Sequence, residues 1–145
     1  MKKVKTKPEE YLDALPVESR EDMKKLHGEI SRVMKGLPVT VWEGRMWGGS
    51  EQAILGYGDM RYGGSRGKTV DWFYIGLALQ KNYISLYVNA VADNQYLGQK
   101  YARELGKVKV GSASISFKRL ADIDIGKLRE LLNRARQLMP PPPAS

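Results

Sequence analysis

The sequence TVDWFYIGLALQKNYISLYV, residues 69–88, decides the fold. Two runs of aromatic and branched residues flank the turn at residues 79–82, and this pattern predicts a β-hairpin. Because side chains alternate across a strand, each run has two faces. We predict that an aliphatic face, which packs against helices, is formed by Phe73, Ile75, Leu77, Ile84, Leu86 and Val88. We predict that an aromatic face with polar ring ends is formed by Trp72, Tyr74, Tyr83 and Tyr87.

Amphipathic segments on both sides of the hairpin predict helices, because their apolar residues recur every three or four positions. The predicted helices are residues 8–15, 17–35, 95–105 and 125–138. The other predicted strands are residues 39–42, 52–57 with an extension at 60–62, 107–110 and 114–117. Strands follow one another directly in the middle of the chain, which favours antiparallel pairing. We therefore predict an α+β fold with an antiparallel sheet of five to six strands and helices packed on one face.

Length and composition indicate one domain. The 145 residues are enough for a single core, and the chain contains no cysteine, which excludes disulfides and thiolate metal sites. We predict a basic flexible tail at residues 1–7, one domain at residues 8–138 and a proline-rich disordered tail at residues 139–145. No apolar run is long enough for a membrane span, and none follows the basic start as in a secretory signal. We therefore expect a cytoplasmic protein with no membrane partner.

The positive charge is unevenly distributed along the chain. The net charge is +8, and residues 1–30 hold seven basic and seven acidic side chains, whereas the rest hold seventeen basic and nine acidic ones. Such an excess attracts polyanions or acidic partners, although the needs of a soluble surface also account for it.

Three segments resemble a known family. They are Tyr11–Pro16 before an amphipathic helix, the hairpin Gly76–Tyr87, and Ile115–Lys118 followed by Leu120, Asp122 and a leucine-rich helix. Together they resemble the YdhG-like domain family of unknown function over residues 8–138. The resemblance implies a frataxin-like fold, a sheet covered on one side by helices, and an iron-chaperone role proposed for one branch of the family. Many members carry a Gly-Met-Pro segment after the first strand, whereas the corresponding residues 44–49 here lack that proline.

Carboxylates near the N-terminus are the candidate iron ligands, since a chain without cysteine must bind iron mainly through oxygen. Their spacing places Glu18, Glu21 and Asp22 on one side of a helix. Acidic residues in a first helical turn are also favoured by the helix dipole alone. Iron is thus the one cofactor that the sequence suggests, and the other interpretation is an ordinary helix start.

Two further sets of residues suggest chemistry less directly. The glycine-rich segment 43–68 holds Arg45, Arg61, Arg66 and Lys68, which could bind an anion. Its end, residues 63–69, resembles a phosphate-binding loop but has the wrong spacing and leads into a strand, so we reject nucleotide hydrolysis. His27 is the only histidine and has no evident partner ligands, so we predict a boundary residue with a satisfied ring nitrogen.

The aromatic face is the most informative feature for function. Rings with polar ends suit stacking or hydrogen bonding to a ligand, a protein partner or a nucleobase. We expect Tyr57, and with it Trp42, Trp47 and Tyr62, to extend this face. The other interpretation is that segment 43–68 folds over the face and forms a second small core.

We predict a small binding or adaptor domain that uses the aromatic face and the glycine-rich loop, with an unidentified ligand, protein partner or second copy of the chain. One alternative is an iron chaperone that uses the N-terminal carboxylates. Another is non-specific binding of nucleic acid or anions, since basic residues and aromatic rings are both present. No nucleophile–base pair is visible, so the sequence favours a binding role over an enzyme without excluding an enzyme.

Overall fold

An antiparallel β-sheet forms the centre of the computed structural model, which describes residues 1–45, 49–63 and 65–140. The strands are β1 (Lys2–Lys3), β2 (Val39–Arg45), β3 (Glu51–Gly63), β4 (Thr69–Leu79), β5 (Ile84–Val88), β6 (Val91–Ala92), β7 (Gln95–Tyr96), β8 (Lys109–Val110) and β9 (Ser114–Phe117). Seven of them form one sheet in the order β1-β2-β3-β4-β5-β9-β8, and β6 and β7 form a separate pair. All described pairings are antiparallel.

Within the described residues, four α-helices accompany the sheet. They are α1 (Pro8–Asp13), α2 (Val17–Val33), α3 (Leu97–Lys100) and α4 (Ile125–Gln137), with 3-10 turns at Ser65–Gly67 and Leu120–Asp122. The Asp124 carboxylate caps α4 by accepting a hydrogen bond from the Lys127 amide at 2.9 Å. Gly36 follows α2 with φ of +87°, the left-handed conformation that ends many helices. Among the described helices, none has both the length and the apolar character needed to cross a membrane.

One face of the seven-stranded sheet packs against the helices and forms the main core. It buries Leu55, Ile75, Leu77 and Leu86 of the sheet against Leu26 and Ile30 of α2 and Leu128, Leu131 and Leu132 of α4. The two long helices are also joined by an ion pair, in which Arg129 Nε donates to Glu29 Oε2 at 2.6 Å. The hydrogen bond from Arg129 lowers the pKa of Glu29 below its usual value. We call this side of the sheet the helix side.

The opposite face carries a second, smaller cluster. Its buried members are Trp42, Ile54, Phe73 and Ala78, and the partly buried Met1, Trp72 and Tyr87 pack against them. Within residues 1–45, 49–63 and 65–140, this cluster contains strand residues and Met1 but no helical residue. We call this side of the sheet the helix-free face.

The alternation of side chains reverses at one point in both β3 and β4. Tyr57 pairs with Ile75 and Asp59 with Phe73, while Gly58 between them has φ of +75°. Tyr74 and Ile75 both join the helix-side core, whereas Phe73 joins the cluster on the helix-free face. A left-handed glycine lets β3 change its course there. The strict alternation predicted for the hairpin is therefore wrong for Phe73 and Tyr74.

The predicted count of five to six strands is wrong, because the main sheet has seven strands. The additional edge strand is β1, which pairs Lys2 with Glu43 and Lys3 with Trp42. The prediction of a flexible tail at residues 1–7 is therefore wrong for these two residues. The expected antiparallel pairing and the packing of helices on one face are present. Residues 141–145 of the proline-rich segment lie outside the described residues.

The helix predicted at residues 95–105 is also wrong, since only Leu97–Lys100 is α-helical. Asp93 and Asn94, which precede that predicted helix, have φ of +54° and +62° and connect β6 to β7. Two consecutive residues with positive φ are typical of a two-residue hairpin turn. This turn sends Tyr96 along a strand instead of along a helix.

Candidate functional site: an aromatic groove on the helix-free face

The helix-free face contains an open groove of about 660 Å³. Its most prominent lining residues are Tyr62, Trp72, Tyr87, Tyr96, Arg45 and Asn89. The rings come from β3, β4, β5 and β7, so four separate strands contribute to one surface. Arg45 is the only charged residue among the described residues that line the groove.

Trp72 is held in the groove by neighbouring rings. Its ring stacks on Phe73 with centroids 4.5 Å apart and meets the Tyr62 ring edge-on at 6.4 Å. Such contacts restrain an aromatic side chain while leaving part of its surface to solvent. Trp72 is accordingly half-buried, and the Tyr62 side chain is 45% exposed.

Two glycines allow this arrangement of rings. A Cβ on Gly76 would collide with the Phe73 ring, and one on Gly56 would lie 2.6 Å from Trp42 Nε1. Gly56 and Gly76 are paired across β3 and β4, so together they leave a shallow floor over which Phe73 and Trp42 lie. A side chain at either position would displace the rings that support Trp72.

Tyr87 contributes a polar group to the groove. Its hydroxyl accepts a hydrogen bond from Gln80 Nε2 at 3.2 Å, and Gln80 also donates to Gln52 Oε1 at 3.0 Å. Partial burial raises the pKa of Tyr87, so the hydroxyl remains protonated at neutral pH. It can therefore both donate and accept hydrogen bonds.

Of the five predicted ligand-face residues, the structure brings Trp72 and Tyr87 together in the groove. Tyr57 and Tyr74 lie instead on the helix side, where their exposed fractions are 0% and 1%. The Tyr74 hydroxyl donates to the Ala135 carbonyl of α4 at 2.6 Å, and burial raises the pKa of Tyr74 to about 12. The assignment of these two residues to the ligand face is corrected by this burial. Tyr83 is 43% exposed and lies in a different cleft, near β8 and β9.

The glycine-rich segment does not fold over the face as far as it is described. Residues 43–45 belong to β2 and residues 51–63 to β3, so the segment extends the sheet. A second cluster does exist, but its buried members come from the strands themselves. Trp47 lies outside the described residues.

The four predicted anion-binding residues are not brought to one place. Arg45 lines the groove, and its Nε lies 3.6 Å from Glu51 Oε1. Arg61 Nε lies 2.7 Å from Asp71 Oδ1. Arg66 and Lys68 are exposed in the connection between β3 and β4, where Arg66 has φ of +59°. Only Arg45 therefore contributes to the groove.

The predicted iron ligands do not form a site in the structure. Asp22 Oδ2 accepts a hydrogen bond from the Leu120 amide at 3.0 Å, which ties α2 to the segment before α4. Glu18 and Glu21 are exposed on α2. In the described part of the chain, no three acidic or histidine side chains are grouped so that they could hold a metal ion.

His27 has the satisfied nitrogen that the sequence predicts. Its Nδ1 lies 2.7 Å from the hydroxyl of the buried Tyr57, and its Nε2 lies 3.5 Å from Ser31 Oγ. Burial lowers the pKa of His27, while the nearby Glu9 acts in the opposite direction. This pair therefore completes the helix-side core and lies away from the groove.

Sequence reasoning missed several residues that line the groove, among them Tyr96 and Asn89. Tyr96 falls within the predicted helix 95–105, but the nearby Asp93 and Asn94 are residue types that tolerate positive φ and are typical of a hairpin turn. Asn89 orients the end of β5 by donating to the Phe73 carbonyl at 2.9 Å. Nothing in the local sequence distinguishes it from an ordinary turn asparagine.

Comparison of the chain with protein-family models, curated proteins and solved structures gives no match in any of the three. The role of the groove is therefore inferred from its own geometry.

Proposed function

We propose that this chain is a binding domain whose helix-free face takes single-stranded nucleic acid without strong sequence preference. The observation that carries the proposal is the groove of about 660 Å³ lined by Tyr62, Trp72, Tyr87 and Tyr96. Unpaired bases stack on aromatic side chains whatever their sequence, because every base has an aromatic face. A ladder of partly exposed rings across several strands suits such a ligand.

The charge of the chain supports the same ligand class. The net charge is +8, and the one charged residue among the described residues lining the groove is the cation Arg45. A polyanion is attracted to such a surface over long distances, whereas an apolar peptide gains nothing from it. Tyrosine hydroxyls and the Arg45 guanidinium also offer donors to phosphate and base oxygens.

Membership of the YdhG-like family remains a proposal that rests on the three sequence segments quoted above. An iron-chaperone role receives no support from the positions of Glu18, Glu21 and Asp22.

Binding can be measured by fluorescence anisotropy with labelled oligothymidine and oligouridine of about 16 nucleotides at about 50 mM salt. We expect a signal that weakens with added salt. Trp72→Ala and Tyr87→Ala should each lower affinity about five- to 150-fold, the range that corresponds to one lost stacking contact. Val17→Ala is a matched control, since Val17 is a 73% exposed hydrophobic residue at the start of α2.

Thermal melting of each variant separates lost binding from lost folding. The absence of a salt-dependent signal for every strand would contradict the proposal. Reversible self-association of the wild type that is lost in Trp72→Ala, without any nucleic-acid binding, would instead identify a second copy of the chain as the ligand.

A further inference from the structure

A second concave surface lies beside the aromatic groove, at the β8–β9 edge of the sheet. It is a cleft of about 1200 Å³ between β9, the segment before β8 and the segment after β9. Four cations line it: Lys107, Lys109, Lys118 and Arg119. We call this surface the basic cleft.

Strand geometry shows which face of the sheet the basic cleft continues. Ile115 and Phe117 are buried in the helix-side core. Ser114, which precedes Ile115, and Ser116, which lies between Ile115 and Phe117, therefore point to the opposite face. Ser116 pairs with Lys109 across β8, and Ser114 pairs with Tyr87 across β5. The basic cleft and the aromatic groove thus adjoin on the helix-free face.

The chain itself joins the two surfaces. Ser112 and Ala113 line the aromatic groove, and their neighbours Gly111 and Ser114 line the basic cleft. A single extended ligand can therefore pass from one surface to the other over residues 111–114.

In the described part of the chain, the cations of the basic cleft have no acidic partner at ion-pair distance. Within the described residues, none of the four forms an ion pair, whereas Lys127 on α4 pairs with both Glu104 and Glu130. Asp122 is the single acidic residue among the described residues that line the basic cleft. Like charges that converge on a concave surface repel one another, and an anionic ligand relieves that repulsion.

Hydroxyl groups complete the set of donors. Ser114, Ser116 and the exposed Tyr83 line the same cleft. Ammonium, guanidinium and hydroxyl groups are the side-chain donors that proteins use for phosphate oxygens.

We infer that the basic cleft binds the phosphate groups of the same strand whose bases stack in the aromatic groove. The inference rests on the proposed function and adds a path for the ligand. The nucleic-acid strand would extend from the ring-lined end of the helix-free face to the β8–β9 edge. Stacking supplies contacts in the groove, and neutralisation of phosphate supplies the salt dependence.

The test is the salt dependence with which the protein binds single-stranded nucleic acid. For single strands, log K falls with log salt with a slope of about −0.7 per neutralised phosphate. The variant K107Q/K109Q/K118Q/R119Q should therefore reduce the magnitude of the slope by up to about 3 for a strand of about 16 nucleotides. A strand of about 4 nucleotides, which can occupy the groove alone, should be far less affected.

The matched control is K25Q/K35Q/R134Q/R136Q, which removes the same charge from the helix layer. Lys25 lies on α2, Lys35 lies just after it, and Arg134 and Arg136 lie on α4. This control variant should change the slope much less than the cleft variant. The doubles K107Q/K109Q and K118Q/R119Q provide intermediate steps if the quadruple variant melts at a lower temperature.

The outcomes separate the two proposals. If the cleft variant and the control change the slope equally, the inference is overturned and the proposed function stands. If no nucleic-acid strand binds the wild type, or if Trp72→Ala binds as tightly as the wild type, the proposed function fails and the inference fails with it. If binding persists and only the cleft variant loses the salt dependence of the long strand, the inference is supported.

Discussion

The two faces of the sheet carry aromatic side chains of similar size but use them differently. On the helix side, the hydroxyls of Tyr57 and Tyr74 are bonded to His27 and Ala135, and the rings are fully buried. On the helix-free face, Trp72 and Tyr87 keep part of their surface in solvent and line a groove. Residue type therefore does not separate a fully buried ring from a ring that lines the groove in this protein. What separates them is whether a helix covers the strand at that point.

The largest expected difference between the faces is in the cost of cutting back a side chain. Leu86 is fully buried on the helix side of β5, and Leu86→Ala should lower the free energy of unfolding by about 2–5 kcal/mol. Tyr87 is its half-buried neighbour on the other face, and Tyr87→Ala should cost less than about half as much. Urea denaturation of the two variants measures both values. Equal losses would mean that the helix-free face is covered as completely as the core.

The next difference concerns single hydroxyl groups. The Tyr74 hydroxyl donates to one of the last four carbonyls of α4, which as a class lack partners within a helix. Tyr74→Phe leaves that buried carbonyl without its donor and should cost about 1–2 kcal/mol. Tyr87→Phe should cost no more than about 0.5 kcal/mol, because water can replace the hydroxyl at a half-exposed site.

These two variants remove the same atom from opposite faces, so their denaturation curves can be compared directly. A Tyr87→Phe loss as large as that of Tyr74→Phe would indicate that the Gln52–Gln80–Tyr87 network is a structural element and not part of an open site. Measurements of nucleic-acid binding by Tyr87→Phe then report the role of the Tyr87 hydroxyl without loss of the ring.

Much of the helix side could be predicted from the sequence because it follows regular periods. The stripe of α2 and the aliphatic positions of β5 obey the helical and strand repeats. The prediction failed where one residue altered the repeat. Gly58, with positive φ, reverses the alternation opposite Tyr74, and a glycine in a strand does not by itself reveal whether it causes a bend or only a close approach.

The candidate site was harder to predict because its parts are distant in sequence. Lys107 and Lys109 meet Lys118 and Arg119 through the pairing of β8 with β9 and through the hydrogen bond from the Lys107 amide to the Asp122 carbonyl at 2.8 Å. In the linear sequence, each pair resembles ordinary surface charge. The predicted anion residues were grouped by nearness in the chain, and the structure instead spreads them over β2, β3 and the β3–β4 connection.

The smallest expected effect is a pH dependence that belongs to the helix side alone. Burial lowers the pKa of His27 in the folded protein, whereas the unfolded chain has the ordinary histidine value of about 6.5. Between these two values the unfolded state binds more protons than the folded state, so stability rises with pH across this window. As the pH falls from about 6.5 through the folded pKa, the wild type should therefore lose stability.

His27→Gln keeps a polar group near the Tyr57 hydroxyl but cannot titrate, so its stability should change less with pH over the same window.

Because His27 is the only histidine, one imidazole signal in an NMR titration gives its folded pKa without ambiguity. Glu9 opposes the effect of burial, so Glu9→Gln should lower that pKa further and steepen the pH dependence of the wild-type background. A folded pKa at or above the ordinary value would contradict the burial of this pair. Adding a nucleic-acid strand should leave the His27 signal unchanged, since the proposed binding groove lies on the opposite face of the sheet. A shift would indicate that binding reaches through the core.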